Sequence, residues 1–162
     1  MNLSAIPLDS VCQALAEMAP LALAESWDNV GLLVGDRRTT LSRAMTCLTL
    51  SPPVVAEAVQ QSADLVIAHH PLPFKPLSKI TSDTLTGSML LDLISGGVAV
   101  YSAHTAFDSA AEGINQTWAQ RLGLHCVAPL VEPELASDVE PSLGSGRWGE
   151  LPEPVSLEQL AS

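Results

Sequence analysis

Basic side chains are scarce in this chain: seven lysines and arginines stand against 18 aspartates and glutamates, for a formal net charge of −11. A surface of that sign repels phosphate backbones and anionic lipid, so direct binding of nucleic acid or membrane through a basic patch is not expected. There is no apolar run of about 18 residues, which excludes an evident transmembrane helix. The start, Met1-Asn2-Leu3-Ser4, lacks the basic opening of a secretory signal. Cysteine is sparse too. Cys12, Cys47 and Cys126 are odd in number and far apart, and none forms a CxxC clamp. That pattern fits reduced thiols and an expected cytoplasmic location. Charged residues of both signs make up only 15%, whereas 47% of the chain is hydrophobic, ample for a core. The 162 residues suit one domain, or one domain and the start of another.

What is present alternates. A helix follows Pro7-Leu8, capped by Asp9 or Ser10, with Val11, Leu15 and Met18 as its buried stripe and Pro20 at its end. Trp27-Asp28-Asn29 is turn chemistry leading into a short apolar run bracketed by Gly31 and Gly35. Read alone, it is a turn before a small strand rather than a polar loop beside a site with Trp27 as a wall. Ala44 to Leu50 is a strand, and Pro52-Pro53 open a helix through Gln61. Leu65-Val66-Ile67-Ala68 reads as a strand buried on both faces, stopped by Pro71 at or near His70. A proline-rich loop follows, then a helix capped by Ser82 or Asp83 and ended by Gly96-Gly97. Val98 to Ser102 is a third strand, and a helix near Gly113 to Leu122 presents Ile114, Trp118 and Leu122 on one face. This order predicts an α/β fold, a mostly parallel sheet with flanking helices.

The tail differs in character. Glu132 to Glu158 carries seven acidic side chains against the single Arg147, and Glu132 to Glu150 reads as loop with one strand at most. Ser156 and Gln159 form a capping box, yet the helix they start has less than two turns before Ser162. The expectation is a division into an α/β metal-site domain, residues 1–128, and residues 129–162, an acidic loop with the start of a truncated helix from a longer protein.

Right-handed crossovers bring the carboxyl ends of parallel strands to one edge, where ligands of open α/β sheets bind. His69, His70, His104 and Asp108 fall at two such ends. Imidazoles with a carboxylate are a common set for zinc or non-haem iron. Successive strand residues point to opposite faces, so one histidine for each of two ions is expected, with Asp108 bridging them or binding one. His104 is open to three roles: ligand, proton donor or acceptor, or partner to a ligand. Two ions about 4 Å apart would acidify water and stabilise charge on an attacked centre. His125 is expected to be structural.

Several of these stretches, in this order, resemble one known family. Trp27 to Gly35, Ile67-Ala68-His69-His70-Pro71 with Phe74, Ser102 to Asp108, Gly113-Ile114-Asn115 and Gly146 to Leu151 are similar to the Nif-three-like dinuclear metal proteins, labelled type 2 GTP cyclohydrolase I homologues. The resemblance covers nearly the whole chain. It implies an α/β subunit of a toroidal homohexamer with two divalent ions per subunit, of zinc, iron or manganese. His69 and His70 would bind separate ions, Asp108 would be a further ligand, and His104 would lie beside them as catalytic acid or base. The family completes its site with a histidine and a bridging glutamate in a C-terminal segment outside this sequence. It usually has a polar residue after the threonine, where Ala106-Phe107 stands here. Two functions follow from the resemblance: a metal-dependent hydrolase acting on a small nucleotide-like substrate, or a ring-forming scaffold or regulatory protein with a structural metal. A single non-haem iron in a two-histidine, one-carboxylate site is a third reading of the residues.

Overall fold

The computed structural model describes residues 5–131 and 143–160. Its elements run β1 (Ile6–Pro7), α1 (Leu8–Met18), a 3₁₀ turn (Leu21–Leu23), β2 (Gly31–Val34), β3 (Thr40–Leu41), β4 (Ala44–Cys47) and α2 (Pro52–Gln60). Then come β5 (Leu65–Ala68), α3 (Leu85–Ser95), β6 (Ala99–Ser102), α4 (His104–Ser109), α5 (Ile114–Arg121), β7 (His125–Ala128), β8 (Trp148–Glu150) and α6 (Leu157–Leu160). The fold is α/β, built on a four-stranded sheet in the order β2-β6-β5-β4. Strands β4, β5 and β6 are parallel, and β2 joins β6 antiparallel.

The apolar run at the centre behaves as its composition requires. Val66 and Ala68 face one core with Val55, Ala58, Leu90 and Leu93 of α2 and α3, while Leu65 packs on the other face with Leu8 and Cys12 of α1 and with Tyr101 of β6. Burial on both faces explains why β5 and β6 carry no polar alternation. Register puts Cys47, Ala68 and Ser102 side by side, so the three parallel strands end at one level. Because β2 runs the opposite way, with Gly31 opposite Ser102, its amino end reaches that level too. Gly31 has φ +99°, a conformation that L side chains rarely adopt, and it turns the Asp28-Asn29 segment into the strand.

Several expected boundaries move. Helix α1 starts at Leu8 with no side-chain cap. The Leu8 N–H donates instead to the Thr39 carbonyl at 3.0 Å, and Asp9 sits in the first turn, accepting from Arg37 and Gln13. Its buried positions are Leu8 and Cys12, one turn apart, which leaves Met18 67% exposed. Helix α3 is capped by Thr84, whose hydroxyl accepts from the Gly87 N–H at 3.0 Å, not by Ser82 or Asp83. Removing that cap by Thr84→Ala is expected to cost about 1 kcal/mol, read as a lower urea midpoint at unchanged slope. The stripe expected on α5 is only partly covered: Ile114 is half-buried, Trp118 and, at the C-cap, Leu122 are exposed, and Ala119 is the buried position. Helix α4 was absent from the sequence reading, since six residues are too few to show a period.

Strand β7 pairs with β8 across the expected division at residue 128, and Gly144 N–H donates to Ser109 O at 2.8 Å. Arg147 ties the same region together through the carbonyls of Ala110, Gly144 and Gly146 and through Gln116. The expected acidic loop between them, residues 132–142, lies outside the described residues. The capping box is formed: Ser156 N–H donates to Gln159 Oε1 at 2.9 Å, and Gln159 N–H to Ser156 Oγ at 3.2 Å. Among the described residues no helix is long and apolar enough to cross a membrane.

Candidate metal centre

Ladder hydrogen bonds continue past β5, with His69 N–H donating to Cys47 O at 3.1 Å and His70 N–H to Leu48 O at 2.9 Å. Both histidines are thus fixed to the neighbouring strand's extension, and Ser102 Oγ holds the His69 carbonyl at 2.7 Å. The chain bends at these two residues, so the alternation expected of a strand does not separate their side chains. Their ring centroids are 5.1 Å apart. Pleating therefore does not hold the two rings on opposite faces here.

At the end of β6, Ala103 leads directly into α4 and His104 takes φ +31°. A non-glycine residue held there stores on the order of 1–3 kcal/mol of strain, which neighbouring contacts have to oppose. Asp28 supplies them. His104 Nδ1 lies 2.8 and 2.9 Å from its two carboxylate oxygens, and the Thr105 N–H donates to it at 3.2 Å. The Thr105 hydroxyl and the Asn29 N–H donate to the same group. The Asp28 side chain has no exposed surface. Burial pushes its carboxyl up, but the bonds from Thr105, His104 and Asn29 together outweigh burial and hold it below the ordinary carboxylate value. An ionised carboxylate only accepts, so the shared hydrogen is on Nδ1, which leaves Nε2 as the ring's free nitrogen.

One potential ligand nitrogen from each of His69, His70 and His104 lies within 4.8 Å of the others. His70 Nδ1 shares a 2.6 Å hydrogen bond with Thr49 Oγ1, just past the end of β4. Asp108, one turn along α4 from His104, stands with Oδ1 3.8 Å from His69 Nε2. That gap is too long for a hydrogen bond. It suits two donors to one ion, which at about 2.1 Å each can stand at most about 4.2 Å apart. Burial pushes the His69 pKa below its ordinary 6.5, against the pull of Asp108, and so favours the neutral form that binds metal. Trp27 and Phe74 close one side, each with its ring centroid 6.3 Å from that of His104. Asn29 Nδ2 holds this wall through the Pro73 carbonyl at 2.6 Å.

All four sequence-selected residues, His69, His70, His104 and Asp108, thus meet at one sheet edge, and His125 is exposed on β7 outside the group. Asp28, Thr49 and Thr105 were not selected. The signal for Asp28 was an acid in the turn before Gly31, indistinguishable in sequence from ordinary turn chemistry. The donor set fits divalent metal: three imidazoles, a nearby carboxylate, and outer hydrogen bonds that orient the rings of His70 and His104.

Comparison with known proteins places the chain among relatives. The chain is 37% identical over 155 residues to the GTP cyclohydrolase 1 type 2 homolog of Clostridium acetobutylicum, covering 96% of this chain and 57% of that protein. It is 37% identical to NIF3-like protein 1 of Drosophila melanogaster over 142 residues, 87% of this chain and 48% of the relative. The chain therefore spans about half the length of these curated relatives. A crystal structure of a Bacillus cereus protein related to NIF3 superposes with a TM-score of 0.72 at 32% identity, over 81% of this chain and 35% of that one. The family profile described as Duf34/NIF3 (NGG1p interacting factor 3) matches residues 6–162, and the chain belongs to that family.

Proposed function

We propose that this chain carries His69, His70 and Asp108 as ligands of a dinuclear divalent-metal centre, of zinc, iron or manganese, and His104 as its acid or base. The activity proposed for the whole protein is metal-dependent hydrolysis of a small, nucleotide-like substrate, in line with relatives named GTP cyclohydrolase 1 type 2 homolog. The observation that carries this reading is the meeting of three imidazoles within 4.8 Å beside Asp108. When bound, the ions supply Lewis acidity toward water and toward the attacked centre.

The chain's own residues do the rest. Asp28 fixes the His104 tautomer and aims the ring, so a proton is taken up or given at Nε2. Thr49 orients His70, and the Trp27–Phe74 wall covers one side of His104. A homohexamer in the cytoplasm belongs to the same proposal. Exposed Trp118 and Leu122 on α5 favour a second reading, a ring-forming or regulatory interaction protein whose metal is structural. Metal-dependent turnover that is lost in His104→Ala would count against it.

Zinc calorimetry and metal content after purification test the centre itself. His70→Ala and Asp108→Ala are each expected to weaken zinc binding at least about tenfold, since even outer partners of ligands contribute that much. Unchanged metal content in both variants would end the proposal.

A further inference from the structure

A cavity of about 550 Å³ opens directly beside the histidines, and His69 and His104 form part of its wall. Its size lies in the range of about 300–1,000 Å³ typical of small-molecule sites. The remaining wall is mostly apolar, with Leu15 and Ile67 on one side and Phe107 and Ile114 on another, and Leu48 and Thr46 at the outer edge of β4. None of the seven lysines and arginines lines it, and among the described residues neither does any aspartate or glutamate. Tyr101 also lines it, is 1% exposed, and has a hydroxyl without a hydrogen-bond partner among the described residues.

These features select a ligand class. Phosphate groups need cationic or backbone N–H partners, and away from the proposed ions at the His69 and His104 end no lysine or arginine in the wall offers them a countercharge. An uncharged ring gains from apolar burial at about 25 cal/mol per Å² and leaves no charge unpaired. Tyr101, His104 and Phe107 place aromatic side chains in the wall, and rings pair favourably with these. We infer that this cavity is a substrate pocket for a neutral, largely apolar ring system, whose reacting substituent lies at His69 and His104. The inference rests on the metal-centre proposal only for the identity of that reacting end. It narrows the substrate to molecules that present an uncharged ring here and keep any anionic part outside.

The neutral fluorophore N-phenyl-1-naphthylamine is the probe. Titrated into the full chain, it is expected to bind saturably with enhanced emission. Thr46→Trp fills the cavity from the exposed edge of β4, and Leu48→Glu puts a charge at its rim. Both positions are exposed, so either variant can report if the other fails to fold. Each is expected to weaken the probe at least tenfold, and millimolar inorganic triphosphate is expected not to displace it. Absence of saturable binding, equal binding by both folded variants, or competitive displacement by inorganic triphosphate would overturn the inference. Zinc titrated into the same chain separates the two proposals. Probe binding without zinc binding refutes the metal centre and leaves the cavity, whereas zinc binding without probe binding refutes the cavity alone.

Discussion

Asp28→Ala is expected to lower the stability of the chain by about 3–5 kcal/mol, the range for removing one partner from a buried charged network. The carboxylate is fully covered and accepts from the His104 ring, from the N–H and hydroxyl of Thr105, and from the Asn29 N–H. Alanine leaves those donors facing a void, and the positive φ of His104 loses the group that holds it. A loss of that size shifts Tm by on the order of 10 °C in a chain of this length. The measurement is thermal and urea unfolding followed by circular dichroism. A change below about 1 kcal/mol would show that the network does not hold the β2–β6 edge together.

Acid titration of the same variants gives the sign independently. The folded Asp28 carboxyl binds its proton less tightly than the unfolded one, whose ordinary value is 3.8. Its contribution is therefore complete above that value and is lost as pH falls below it through the folded value. Asp28→Asn keeps the shape and removes the charge, so the stability gap between the natural chain and this variant should be widest near neutrality. It should narrow below about pH 4. A gap that stays constant down to pH 2.5 would mean the carboxylate charge contributes nothing.

Gly113→Ala is the second large effect, expected to cost about 3 kcal/mol or more and to weaken zinc binding as well. Glycine here is a matter of space: φ is −79°, open to any residue, but an added Cβ would stand 1.8 Å from the Phe107 carbonyl oxygen. Backbone cannot rotate away as a side chain can, so α4 and α5 have to separate, beyond the usual 1–3 kcal/mol of core overpacking. Asp108 lies between the two contact points, its own carbonyl held by Asn115 Nδ2 at 3.0 Å. Displacing α4 moves Asp108 away from His69 and disturbs His104 at the helix start. Unfolding and zinc calorimetry on one preparation check both parts. A variant of unchanged stability, or one destabilised with zinc affinity intact, would break the link between this turn and the site.

In sequence the Gly113-Ile114-Asn115 stretch reads as a helix start and as part of the family resemblance, and the structure adds the physical reasons: Gly113 permits close approach and Asn115 anchors Asp108. Burial was less legible. Trp118 and Leu122 have helical spacing but lie on the outer face of α5, because periodicity marks a stripe and not the side from which a neighbour arrives. Cap positions slipped for a related reason. The Leu8 N–H found the carbonyl of Thr39, just before β3, and no local rule lists such partners.

By itself the sequence determined the alternation of apolar strands and capped helices, and with it the parallel β4-β5-β6 unit. It also set the placement of His69, His70 and His104 just beyond strand ends. These follow from local composition, from proline's missing N–H and from the handedness of crossovers, all properties of short stretches. Only the tertiary structure decided that β2 runs antiparallel to β6, since a four-residue apolar strand carries no mark of its direction. That reversal brings the turn before Gly31 to the edge where the histidines emerge. It makes Asp28, a turn residue by sequence, the buried carboxylate that fixes His104.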